Sequence, residues 1–595
     1  MSKQTVAHLE ALRAEMTRLH VDAMIVPGTD AHQSEYICEY WKSRDWVSGF
    51  TGSNGTAVVT LDDARLWTDS RYFLQAQQQL ADSGFTMMKE AIAGEPTITE
   101  WLASVLAPGS VIAIDGTLFS INSVNALEEF CGLNGLRLAT DFTPFDTIWP
   151  DRPLRPQGKI EVHSTEYAGE SVADKLARTL SAVEAAGADA LFIAALDEIA
   201  WLYNIRCTDV RFTPVTISYA YISASKKAIF VDSAKLTPEV SAHFAENGIE
   251  VLGYDDVARF LDKLPLETTV MLDPNQVSDT LNRAIECGRI FGKSPVSMLK
   301  GVKNDVQIEG MRRSMVRDGI ALVKTFRWVE ENAASGTVTE LGVWNKAMEM
   351  RRLDPMYRGD SFSMIAGYKE HGAIVHYSAD EQSDAHLQAE GLLLVDTGAQ
   401  YPDGTTDITR TITLGNPTAD EIHDYTLVLK GHVALASQQF PVGTRGVQLD
   451  VLARQYLWNE GLAYLHGTGH GVGQYLSVHE GPHSIRMNEN PVTIVPGMIT
   501  SDEPGLYRAG KHGVRIENLV LAVNSVSDAE FGDFMKFETL TLFPYDARLI
   551  DVSMLTDGEL SWINDYHATV RECLLPGLDG ADAEWLIEKT KKITR

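Results

Sequence analysis

The run from Gly391 to Thr411, GLLLVDTGAQYPDGTTDITRT, constrains this chain more than any other stretch, because it sets two aspartates on either side of a turn. Apolar residues Leu392 to Val395 lead into Asp396, Pro402, Asp403 and Gly404 carry turn chemistry, and a threonine-rich run with strand propensity carries Asp407. The stretch reads as a β-hairpin. If its arms pair about a centre between Tyr401 and Gly404, the two carboxylates stand opposite or nearly opposite each other. Two anions held that close repel, so a cation or a shared proton is expected between them. Taken alone, the pattern also fits a solvated Asx turn, since aspartate is common at turns.

Downstream, LHGTGHGVGQYLSVHEGPH (Leu465 to His483) holds His466, His470, His479 and His483, far more than the chain's 16 histidines would supply by even spacing. Glycines at 467, 469, 471 and 473 exclude a helix, so His466 and His470 are not the helical pair of a zinc protease, and the G-x-G-x-x-G register is missed as well. Glycine on each side lets an imidazole approach a metal or a substrate closely. Then MITSDEPGLYRAGKHGVRIENLVLAV (Met498 to Val523) alternates in strand fashion about a turn near Gly510, with Glu503 and Glu517 symmetric about it. Arg515, Glu517 and Leu519 share one face of the second arm.

Asp396, Asp407, Glu503 and Glu517 thus supply four carboxylates, and His470 an imidazole. Four negative charges are balanced by two divalent cations, which favours a dinuclear site. Oxygen-rich ligation with one imidazole suits Mn²⁺, Co²⁺ or Zn²⁺. A hydroxide bridging two such ions is a nucleophile at neutral pH, so the implied chemistry is hydrolysis.

With 595 residues the chain exceeds one core's usual size, and about three domains are expected. Residues 1–150 alternate helix-like and strand-like segments, as in an α/β domain. Within them VSGFTGSNG lacks the Gly-Lys-Ser/Thr ending of a phosphate loop and reads as a structural turn. The proline-rich stretch DTIWPDRPLRPQG is the best linker. A second α/β block, 151–303, repeats the order of the first and suggests a divergent duplication. A helix over Lys303 to Asn332, capped by Asn304 or Asp305, opens a third domain, 304–545. Residues 546–595 are too few for a core of their own and are expected to lie on that domain or on a partner chain.

A formal charge of −30, from 51 basic and 81 acidic residues, argues against nucleic acid or an acidic membrane surface as partner. No apolar run approaches the roughly 18 residues that span a bilayer, and the opening reads as an amphipathic helix rather than a signal peptide. Five scattered cysteines suit reduced thiols. A cytoplasmic location is expected.

At these residues the sequence resembles the M24, or pita-bread, metallopeptidases, and among them the long, three-domain Xaa-Pro aminopeptidases. The likeness runs through DAHQSEYI, VSGFTGSNGTAVV, WTDSRYFLQA, DEIAWLYNIR, KNDVQIEGMRRSMVRDG, GAIVHYS, LLVDTGAQYPDGTTDITRT, HGTGHGVGQYLSVHEGP, ITSDEPG and VRIENLV. It implies two creatinase-like N-terminal α/β domains followed by a pita-bread catalytic domain, an α/β and α+β architecture. It implies that Asp396, Asp407, His470, Glu503 and Glu517 hold two divalent cations, manganese first among them, with Asp407 and Glu517 bridging. His376 and His479 would contact the scissile peptide, His466 would help form a proline pocket, Arg515 would support the ligands, and Glu503 would shuttle a proton to the leaving nitrogen. Substrates would be peptides beginning Xaa-Pro, and the enzyme a homodimer. Prolidase, which cleaves only Xaa-Pro dipeptides, is the rival within the family; methionine aminopeptidase fits the long N-terminal region less well. A peptide-binding or chaperone-like pita-bread module is the non-enzymatic rival, disfavoured because all five ligands are kept.

Overall fold

A computed structural model describes residues 2–595 of the chain, which divides into two compact units, Met1–His163 with Glu170–Ser297 and Ser164–Gly169 with Met298–Arg595.

The first unit contains two six-stranded sheets. One is built from Ala23–Val26, Thr56–Thr60, Ala64–Thr68, Thr86–Lys89, Val111–Ala113 and Arg137–Ala139. The other uses Ala190–Ile193, Tyr219–Ser223, Lys227–Phe230, Glu250–Leu252, Thr269–Leu272 and Gly288–Phe291. Numbered in chain order within each sheet, the strands lie side by side as 4-3-2-1-5-6 in both. The directions agree too: the pairs 1–2 and 2–3 are antiparallel, and 3–4, 1–5 and 5–6 are parallel. A shared crossover pattern of this length carries the duplication reading further than element order alone. The first strand of each sheet is buried along its whole length, as the apolar runs AMIV and ALFI require of a strand covered on both faces. Leu9, Leu12 and Met16 place one face of the opening helix, Ser2–Arg18, in the first core. The glycine cluster at Val47 to Gly55 is structural: the helix Ser43–Ser48 ends at Gly49 with φ +76°, and the Arg44 guanidinium donates to the Gly52 and Gly55 carbonyls.

In the second unit, the helix Asp305–Asn332 begins with a capping box in which Asn304 and Gln307 exchange backbone hydrogen bonds. Its apolar face enters a core shared with the strands Leu392–Thr397 and Ile408–Thr413 and the helix Ala419–Ala436. The last 50 residues join this core through Ile563, Tyr566, Val570, Leu574 and Leu586, and Asp582 pairs with Arg327 at 2.6 Å. Each such side chain, once fully buried, contributes ~1.5–3 kcal/mol. Two sheets position the candidate site. One has three strands, Ile365–Tyr368, Leu392–Thr397 and Ile408–Thr413; the other has six and includes Gly469–Gly471, Glu480–Ile485, Ile499–Asp502 and Asn518–Asp528. Among the described residues all five cysteines are free thiols, and no helix is long and apolar enough to cross a membrane.

Candidate metal centre

The aspartate hairpin pairs Asp396 with Thr409 and, beyond a break at Gly398, Gln400 with Thr405 and Tyr401 with Gly404. The turn falls at Pro402 and Asp403. Asp407 therefore lies two residues from the partner of Asp396, on the same face by strand periodicity, a diagonal rather than a direct pair. Only glycine fits at 398, because a Cβ there would stand 2.0 Å from the Thr406 carbonyl and 2.2 Å from Ser361 Oγ. Both arms are held by one buried ion pair. Arg351 binds Asp318 at 2.8 Å and donates to Thr397 Oγ1, while Thr406 Oγ1 donates to Asp318.

Glu503 and Glu517 sit at the step between two ladders, Ile499–Asp502 against Asn518–Leu521 and Gly505–Arg508 against His512–Arg515, both symmetric about residue 510. The turn at Gly510 thus fixes the pairing of two carboxylates seven residues away on either side. The Glu517 N–H donates to the Thr409 carbonyl at 3.1 Å, which stitches this ribbon to the aspartate hairpin. Thr409 Oγ1 also donates to Glu517 Oε2 at 2.8 Å.

His470 enters from the strand Gly469–Gly471, whose glycines allow close packing; a Cβ on Gly469 would lie 1.9 Å from the Ser501 carbonyl. With Nδ1 donating to the Gly471 carbonyl at 2.9 Å, Nε2 is left as an acceptor. That nitrogen stands 3.3 Å from Glu503 Oε1 and 3.6 Å from Asp407 Oδ2. Asp407, His470 and Glu517 each offer a donor atom within 4.8 Å of the others. Asp396 Oδ2 accepts from Arg515 Nη2 at 2.6 Å, while its buried Oδ1 has no hydrogen-bond partner.

The electrostatics of the cluster suit a cation. Burial raises the Asp407 carboxyl well above its usual range, and Asp396 and Glu503 push it further. Glu517 is raised by burial, then by Asp407, Glu503 and Asp396. Burial lifts Glu503 to about 7 even though the Arg515 guanidinium pulls the other way. A cluster of hard oxygen donors with one imidazole lone pair, one orphaned carboxylate oxygen and uncompensated negative charge fits divalent cations.

Of the residues expected to meet substrate, Arg515 is 2% exposed and bonds Asp396, Thr409 Oγ1 and the Tyr507 hydroxyl. That hydroxyl is 2.8 Å from His466 Nε2, so a chain of hydrogen bonds runs from His466 to Asp396. The His479 ring lies edge-on to His470, 4.4 Å between centroids. His376 is half-buried in the turn after the short helix Lys369–Ala373. His483 Nε2 donates to the Ile499 carbonyl at 3.0 Å, and burial drops the imidazole to about 4. The sequence reading did not single out Thr409 or Tyr507. Thr409 was findable, being one strand period beyond Asp407; Tyr507 gains its place only when the two arms fold over each other.

Comparison with known proteins agrees with this geometry. Residues 8–146 and 151–307 each match the model of the creatinase/prolidase N-terminal domain, 309–524 match metallopeptidase family M24, and 533–593 match the C-terminal region of that peptidase. The chain is 40% identical to aminopeptidase P2 of Arabidopsis thaliana over 97% of its own length and 86% of that protein's. It is 39% identical to a probable Xaa-Pro aminopeptidase P of Aspergillus niger over 99% of both. Its fold superposes on the crystal structure of X-prolyl aminopeptidase from Caenorhabditis elegans, described as a cytosolic enzyme with a dinuclear active site, with a TM-score of 0.95, 34% identity and full coverage of both chains. The Xaa-Pro dipeptidase of Bacillus anthracis shares the fold over 63% of this chain at 23% identity, with a TM-score of 0.51. The chain belongs to metallopeptidase family M24, among its Xaa-Pro aminopeptidases, with two creatinase/prolidase N-terminal domains ahead of the M24 domain.

Proposed function

We propose that this metal-dependent hydrolase removes the N-terminal residue from peptides with proline in second position. Asp396, Asp407, His470, Glu503 and Glu517 would hold two divalent cations, manganese the first choice. When bound, the cations supply activation of water at neutral pH and polarisation of the scissile carbonyl. The remaining work falls to the chain. Glu503 takes the proton given up by water and passes it to the proline nitrogen, which must be protonated to leave. His376 and His479 donate to the developing oxyanion. Arg515, fixed on Asp396 and Tyr507, holds the ligand face still, and His466 borders the proline ring.

The observation that carries this reading is the convergence of Asp407, His470 and Glu517 within 4.8 Å beside an unsatisfied Asp396 oxygen. The proline preference rests on the relatives' names. We further propose a cytosolic homodimer that binds neither nucleic acid nor membrane, built from segments 1–150, 151–303, 304–545 and 546–595. Hydrolysis of an Xaa-Pro-Xaa tripeptide against an Xaa-Pro dipeptide, with and without Mn²⁺, tests the reading. Tripeptide cleavage that depends on metal is expected; cleavage of the dipeptide alone assigns a prolidase, and cleavage of neither removes the enzyme.

A further inference from the structure

Behind the candidate site lies a second buried group of charges that the reaction does not use. Lys300, at the end of the helix Pro295–Gly301, and Lys303 are 3% and 4% exposed, and Glu480 is 4% exposed. Lys300 Nζ donates to Glu480 Oε2 at 2.6 Å and Lys303 Nζ to Glu480 Oε1 at 2.5 Å, so each carboxylate oxygen is held by its own ammonium. Burial alone would raise the Glu480 carboxyl, but the two lysines outweigh it and hold it below its usual range. Gly301 makes the approach possible, since a Cβ there would sit 2.6 Å from Pro482 Cδ.

Glu480 directly follows His479 and is the register partner of Gly471, which directly follows His470. The segment between them is a tight loop closed by the Gly473 N–H on the Ser477 carbonyl. Its crown is tied to the aspartate hairpin, because Gln474 donates to the Pro402 carbonyl and Gln400 donates to the Leu476 carbonyl. Its base is tied by the strand ladder and by Glu480 with its two lysines. Buried ion pairs are weak contributors to stability compared with apolar residues of the same volume, so one that fixes both oxygens of a carboxylate suits a role in fixing geometry.

We propose that Lys300, Glu480 and Lys303 are positioning residues that set His479 against His470 at the candidate metal centre. The proposal rests on the functional reading above, and its test keeps the two apart. Glu480→Gln strands two buried ammonium groups, so a lowered Tm is expected and proves nothing alone. The informative protein is the uncharged triple variant K300M/K303M/E480Q, which removes all three charges at once. For it we expect a Tm near that of the wild type, unchanged metal content, a KM for an Xaa-Pro-Xaa tripeptide within about twofold, and a kcat lowered about tenfold or more, the size of loss that small misplacements cause. A crystal structure of the same variant should show the His470 and His479 rings displaced from their 4.4 Å separation. A kcat within about twofold of wild type, or an undisplaced ring pair, overturns the proposal. If the metal-loaded wild type cleaves no Xaa-Pro peptide yet the rings move in the variant, the positioning role stands and the functional reading falls.

Discussion

Two groups of buried charge lie within one unit of this molecule, and burial costs them alike. Glu480 is 4% exposed, Asp407 3% and Glu517 2%, yet Glu480 titrates below its usual range while Asp407 and Glu517 are driven well above theirs. The difference is the source of positive charge. Lys300 and Lys303 give Glu480 two ammonium groups from the chain itself. Around Asp396, Asp407, Glu503 and Glu517 the one guanidinium is that of Arg515, and the excess of negative charge is met by protons or by bound cations. One cluster is complete as folded; the other is complete only with protons or metal.

Breaking the second cluster should have the largest effect. Asp407→Asn is expected to lower kcat/KM more than about a thousandfold and to reduce bound metal, because it removes one of the donors that converge with His470 and Glu517. Two ions still bound in that variant, by elemental analysis, would count against the assignment. Stability should divide the clusters with opposite signs. Glu480→Gln is expected to destabilise by about 3–5 kcal/mol in denaturant titration, with or without metal, since it leaves buried ammonium groups unpaired. In chelated protein Asp407→Asn should instead raise Tm, by relieving repulsion from Asp396 and Glu503.

Two pH dependences sharpen the contrast. His567 Nε2 accepts the Tyr545 N–H, and burial drops the imidazole to about 4. Between an unfolded value near 6.5 and that value the unfolded chain binds the proton and the native one does not, so stability falls as pH drops through this window and levels off below it. The full loss is at most about 3 kcal/mol, and His567→Gln should flatten it. The metal-free cluster has the reverse slope. Glu503, raised to about 7 from the ordinary 4.5, keeps its proton in the native state after the unfolded chain has lost it. Relative to Mn²⁺-saturated protein, which carries the same His567 contribution, chelated protein should therefore lose stability as pH rises from about 4.5 to 7. A difference in Tm between chelated and Mn²⁺-saturated protein that stays constant over this range would contradict the charge deficit.

Much of the site could be read from local sequence because hairpins obey a fixed register. Symmetry about Gly510 placed Glu503 opposite Glu517 in both flanking ladders, and turn chemistry at Pro402 to Gly404 centred the aspartate hairpin. The diagonal offset of Asp407 also follows from that centre. The duplicated sheets of the first unit were visible only as a repeated order of elements; their common 4-3-2-1-5-6 arrangement depends on crossovers that local propensity does not encode. What local reading missed was long-range. Tyr507 reaches His466 across 41 positions, and Lys300 reaches Glu480 across 180. Nothing in the composition around a lysine tells which distant glutamate will neutralise it.

The most direct test of the charge deficit is to titrate chelated protein with Mn²⁺ while measuring bound metal and release of the first residue from an Xaa-Pro-Xaa tripeptide. We predict no cleavage without metal and full cleavage once two ions are bound per chain, the nuclearity of the C. elegans relative. Full activity in metal-free protein, or neither bound metal nor cleavage at a large excess of Mn²⁺, would contradict it.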